Sequence, residues 1–103
     1  MAWIDACGVD DIDAEDLIRF DHAGVTYAIY HAPDGSFHAT DGLCTHEKVH
    51  LCNGLVDGDT IECPKHNGRF NYRTGAALRA PVCVDLKRYA VRVVGGRVEI
   101  ELG

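Results

Sequence analysis

A chain of 103 residues has room for one domain with a core of its own, so its five cysteines are not needed as staples. Apolar residues make up 47% of it, which excludes a disordered tail, and no apolar run reaches the length of a membrane span. The net charge of −6 is all N-terminal: residues 1–21 hold seven acids and one base, and the other 82 hold nine of each sign. No basic stripe is left for nucleic acid. The opening Met1-Ala2-Trp3-Ile4-Asp5 lacks a basic segment followed by an apolar one, so the expected setting is a reducing cytoplasm.

Taken in order, the acids of the first 21 residues either steer the chain towards a basic partner or only keep it soluble. Asp10 to Ile18 gives a hint of helix, but without a sustained apolar stripe it supports at most one short turn. Val25-Thr26-Tyr27-Ala28-Ile29-Tyr30 is β-branched and aromatic, and reads as a strand. Pro33-Asp34-Gly35 then turns the chain into a second strand, Ser36 to Thr40. Val56, Asp57-Gly58 and Thr60-Ile61 predict another hairpin, and Arg69 to Tyr72 followed by Thr74-Gly75 a further strand and turn. Tyr89, Val91 and Val93 alternate with Ala90 and Arg92. After Gly95-Gly96, Val98, Ile100 and Leu102 alternate with acids, the period of a half-buried strand. There is no repeat and no linker. The sum is a single all-β domain over 1–103, built of antiparallel sheets.

Between the first hairpin and the last lies the stretch with chemistry in it. Cys44-Thr45-His46 is followed, sixteen residues later, by Cys63-Pro64-Lys65-His66. Each half offers one thiolate and one imidazole, in the same order. That suits two irons of unlike ligation, one taking both sulfurs and the other both nitrogens. Zinc remains the alternative, although zinc fingers pair like with like at short separations. Cys7, Cys52 and Cys83 have no ligand partner and read as small apolar residues. His22, His31, His38 and His50 lack ligand spacing and read as solvated.

The segments Thr40-Asp41-Gly42-Leu43-Cys44-Thr45-His46 and Ile61-Glu62-Cys63-Pro64-Lys65-His66-Asn67-Gly68 resemble the Rieske [2Fe–2S] motif. The chain from Trp3 to its last strand is similar to the Rieske ferredoxins of bacterial ring-hydroxylating oxygenase systems. That resemblance implies stacked sheets in a Rieske-type sandwich, with a cluster-binding subdomain at one tip, here roughly 41–72. It implies one [2Fe–2S] cluster, held by Cys44 and Cys63 on the inner iron and by His46 and His66 on the outer. Gly42 and Gly68 either bring backbone N–H groups to the cluster sulfurs or are simple turn glycines, and the resemblance implies that Ala80-Pro81-Val82 shields the cluster from water.

High-potential members carry a disulfide between the cluster loops, a serine and a tyrosine. The corresponding positions here are Val49 with Lys65, Gly68 and Phe70. The expected midpoint is therefore at the low end of the range, roughly −150 mV. The implied role is a monomeric one-electron carrier, not an enzyme. It would take electrons from an NAD(P)H-dependent flavoprotein reductase and give them to a terminal oxygenase, with neither nucleic acid nor membrane as partner. A Rieske-type accessory subunit of a nitrite reductase-like complex, and a structural zinc module, are the other readings. Lys48, Lys65, Arg69 and Arg73 balance Glu47, Asp57, Asp59 and Glu62 around the motif, so docking there is expected to use shape and apolar contact as much as charge.

Overall fold

The computed structural model describes residues 2–65, 67–80 and 84–102. Of the residues singled out above, His66, Pro81, Val82 and Cys83 lie outside the described residues. Three antiparallel sheets are stacked. The first joins β1 (Ala2–Gly8), β11 (Arg97–Leu102) and β10 (Val91–Val94) in that order; the second runs β2 (Asp16–His22), β3 (Val25–His31), β4 (Phe37–Asp41) and β9 (Arg88–Tyr89). The third is a meander of β5 (Leu55–Asp57), β6 (Thr60–Glu62), β7 (Arg69–Asn71) and β8 (Ala77–Arg79). Among the described residues, no helix is long and apolar enough to cross a membrane.

The middle sheet explains the unbroken apolar run in β3. Tyr27 and Ile29 face one core, shared with Cys7, Ile12, Ala39, Val98 and Ile100. Ala28 and Tyr30 face a second core, shared with Leu51, Val56, Ile61, Phe70, Tyr72 and both motif cysteines, Cys44 and Cys63. A strand buried on both faces shows no polar alternation. In that second core the Tyr30 and Tyr72 rings stack at 4.5 Å, 5° from parallel. Thr40 Oγ1 donates its proton to Asp41 O, so Tyr30 Oη is the donor in its 2.8 Å bond to Thr40 Oγ1.

The expectation of no more than a short turn over Asp10 to Ile18 holds. The helix hint over Asp10 to Ile18 resolves into turns and the start of β2, which pairs with β3 from Asp16↔His31 to His22↔Val25. Weak local helical preference yields to a seven-pair ladder. Val93 is 50% exposed on β10, an edge strand that runs out to the Gly95-Gly96 turn.

The third sheet is fastened to the second at the β5–β6 turn. Gly58 N–H donates to Glu15 Oε2 (2.8 Å), and Tyr72 Oη donates to Gly58 O (2.5 Å). Arg73 then bridges Asp59 of this turn (2.7 Å) and Asp34 of the β3–β4 turn (2.9 Å). The Ser36 hydroxyl and amide, followed by Arg73, hold the Asp34 carboxyl far below its ordinary range. The folded chain thus binds that proton less readily than the unfolded one. The contribution is complete above the ordinary carboxylate range, about pH 4, and is lost as pH falls through the lowered value. Asp34→Asn is expected to lower the melting temperature at neutral pH, with the gap from the parent closing in strong acid. A gap that ignores pH would contradict this linkage.

Most N-terminal acids also have structural work. Asp5 forms a two-pronged pair with Arg97 (3.0 Å each), Asp11 accepts from Gly8 N–H, and Asp21 pairs with Arg19.

Candidate metal centre

Two loops at one end of the third sheet carry the motif halves, and they close in the same way. Cys44 N–H donates to Val49 O (2.9 Å), and Cys63 N–H donates to Gly68 O (2.7 Å). In each loop the cysteine amide thus reaches the carbonyl five residues on, and the residue between closure and turn is left-handed: Lys48 (φ 55°) and Asn67 (φ 58°). Asparagine accepts that conformation readily, and lysine does so at some cost. The first loop is tightened further by Lys48 N–H to Cys44 O (2.8 Å) and by a bridge between Leu43 and His50.

This closure turns both cysteines inward. Cys44 and Cys63 are each 1% exposed and sit at the edge of the second core. Both thiols belong to the same buried cluster as Leu51, Ile61, Phe70 and Tyr72. Burial pushes the Cys63 thiol up; the Lys65 amide opposes this, and the Cys44 thiol and the Glu47 charge reinforce it. Without a metal the pocket holds a proton on this sulfur, and a metal must displace it. His46 is turned outward, with its side chain 38% exposed and Nε2 3.7 Å from Glu47 Oε1. The other carboxylate oxygen of Glu47 pairs with Lys65 Nζ of the second loop at 2.7 Å. Thr45 Oγ1 donates to Val84 O (2.7 Å), which ties the first loop to the strap after β8.

Cys44, His46 and Cys63 are therefore gathered at one tip, and His66 lies outside the described residues. Among the described residues, no group of three or more Cys, His, Asp or Glu side chains converges as a finished metal cage. Cys7 is buried in the first core and Cys52 packs half-buried against the second, and both are free thiols.

The glycine expectation is corrected at Gly42. Its N–H goes to Thr26 O (3.0 Å), and an added Cβ would meet Thr26 and Tyr27 backbone at 3.0 Å. Gly42 packs the loop onto β3 instead of serving a cluster sulfur. His22 is exposed as expected, but the other three spare histidines are not simply solvated. His31 Nδ1 is 2.8 Å from Ile12 O and its ring stacks on Phe37; His38 Nε2 meets Ser36 Oγ at 2.8 Å. His50 buries its Nδ1. Sequence reasoning missed the Thr45 tie and the Glu47–Lys65 pair. Asn67-Gly68, a turn dipeptide, is the sequence signal that could have located the second loop's turn.

The profile of the Rieske [2Fe-2S] domain matches residues 2–90. The chain belongs to the Rieske [2Fe–2S] family. Its cofactor is a Rieske-type [2Fe–2S] cluster, and the described part of the site fits that group. Two buried sulfurs in one core cluster suit the inner iron, and a partly exposed imidazole two residues from one of them suits the outer. This Rieske chain is 42% identical over 100 residues to the ferredoxin component of the naphthalene 1,2-dioxygenase system of Pseudomonas aeruginosa, covering 97% of the chain and 95% of that relative. Its fold matches the ferredoxin of Sphingomonas yanoikuyae B1 with a TM-score of 0.93 at 33% identity, over 99% of this chain and 100% of that one. It also matches a chain from a complex of reduced oxygenase and oxidised ferredoxin in carbazole 1,9a-dioxygenase, with a TM-score of 0.90 at 36% identity over 95% and 91% of the two chains.

Proposed function

We propose that this Rieske domain is a one-electron carrier of a ring-hydroxylating oxygenase system. Cys44 and Cys63 hold one iron of its cluster, and His46 and His66 hold the other. It accepts electrons from an NAD(P)H-dependent flavoprotein reductase and passes them to the terminal oxygenase, as a cytoplasmic monomer of low midpoint potential. It transforms no substrate itself. The observation that carries this reading is the near full-length likeness to a dioxygenase ferredoxin component at 42% identity. The complex of oxygenase and ferredoxin in the carbazole system supports the choice of partner.

The tip is also built for brief contact. Most of its charges are spent on one another: Arg69 on Glu62 (3.1 Å) and Asp57 (3.6 Å), Arg73 on Asp59, and Lys65 on Glu47. Around them stand Leu55, Leu78 and Val84, each more than half exposed. Such a surface gives small, short-lived encounters that depend little on salt. The test is reconstitution. Reduced protein mixed with a ring-hydroxylating oxygenase and its aromatic substrate is expected to be reoxidised as product forms, with a rate that changes little as salt is raised. Failure to reduce any such oxygenase, together with a permanent partner on gel filtration, would favour the accessory-subunit reading instead.

A further inference from the structure

Glu47 joins the two loops and faces the site from outside the ligand set. Its Oε2 lies 2.7 Å from Lys65 Nζ, on the loop that begins at Cys63, and its Oε1 lies 3.7 Å from His46 Nε2, on its own loop. One carboxylate therefore spans the mouth between the two halves of the motif and touches the outward imidazole as well. The pair is only partly exposed on the acid side, 30% against 55% for the lysine. An exposed ion pair on a rigid surface contributes little, because water screens it and two long side chains lose freedom. Here the situation differs in two respects. The segments that the pair joins are loops, each closed mainly by its own backbone bonds, so a link between them restrains opening that those bonds do not. The charges also stand at the edge of a pocket whose sulfurs are 1% exposed, where a low local dielectric extends their reach.

From this geometry we infer that Glu47 is a positioning residue, acting with Lys65 as an electrostatic clasp that holds the two cluster loops shut. The inference rests on the proposed ligand assignment. Its two members act alike on retention and oppositely on redox balance. Removing either one opens the clasp. Removing the carboxylate also takes a negative charge from beside the site, which favours the reduced, more negative state. Removing the ammonium disfavours that state.

The experiment uses the holoprotein and the variants Glu47→Gln, Lys65→Gln, the double Gln variant and the exchange Glu47→Lys/Lys65→Glu. Loss of visible absorption after adding an iron chelator gives retention, and dye-coupled titration gives the midpoint. Each single variant is expected to lose its cluster about three- to fivefold faster than the parent, in keeping with a partly screened pair. The double variant should be no worse than either single one, and the exchange should restore retention. Glu47→Gln should raise the midpoint and Lys65→Gln should lower it, a split that damage to packing alone would not give. Parent-like retention in both single variants, additive loss in the double, or midpoints moving the same way would overturn the clasp. A parent protein that binds no iron would overturn the ligand assignment beneath it, and the clasp with it.

Discussion

Exchanging Cys63 for serine is expected to leave a folded chain that is colourless, with iron falling from about two atoms per chain to about none. The side chain is buried and shares its pocket with Cys44. Two sulfurs on one iron are what the inner half of the site has to offer. Burial already pushes the Cys63 thiol upward, so even cysteine gives up its proton only to a metal. A serine hydroxyl is a far weaker acid and stays neutral there. It is close to isosteric, so the second core keeps its shape, and the buried hydroxyl has the Lys65 amide and the Cys44 thiol nearby. Cys7→Ser, in the other core, is the control: it should keep full colour and lose about 1–2 kcal/mol of stability for an ill-paired hydroxyl. Iron and sulfide assays, with the spectrum of the reduced protein, decide the matter. A Cys63→Ser protein that stays brown with its full iron would remove the assignment, and a parent holding zinc in place of iron would remove the reading altogether.

How far the sequence carried depended on whether the signal was local. The hairpins after Pro33-Asp34-Gly35 and at Asp57-Gly58 were legible because their turn residues are explicit. The β2–β3 hairpin was not, since its two-residue turn is Ala23-Gly24 with both φ values positive (51° and 79°), and alanine there gives no warning. The spaced cysteines and histidines of the motif pointed to their proposed chemistry through residue type and order. What held them did not show, because closure of both loops is a matter of backbone bonds to Val49 and Gly68, which any residue can make. Likewise Glu47, Lys65, Arg73 and Asp59 read as balanced surface charge until folding set them against specific partners across loops and turns. Charge totals predict a neutral tip, but not which pairs make it so.

Gly54→Ala is expected to be a severely damaging substitution, although it adds a single methyl. Gly54 ends the short 3-10 turn Leu51–Asn53 and lies against the end of β6. Its own φ of −88° is open to any residue, so the cost is not one of backbone conformation. The cost is steric: a Cβ would stand 2.2 Å from Glu62 O and 3.1 Å from Leu51 O, both backbone atoms that cannot swing aside. Glu62 pairs with Leu55 and immediately precedes Cys63. Relief of the clash must therefore either part β5 from β6 or shift the strand end that sets the Cys63 sulfur. Overpacking of this severity costs on the order of 3 kcal/mol or more, which for a domain of this size lowers the melting temperature by roughly 12 °C or more. Gly58→Ala supplies the comparison. It too precedes the site, and its φ is +60°, but nothing lies within 4 Å of the added carbon. Strain alone, about 1–2 kcal/mol, should then be the whole penalty. Thermal melts of the two variants, read beside their iron content, separate the effects. The Gly54 variant should lose both stability and cluster occupancy, and the Gly58 variant should keep its cluster. Equal melting temperatures for the two would mean that the turn and β6 can move apart without strain, and that Cys63 is held by its own loop closure alone.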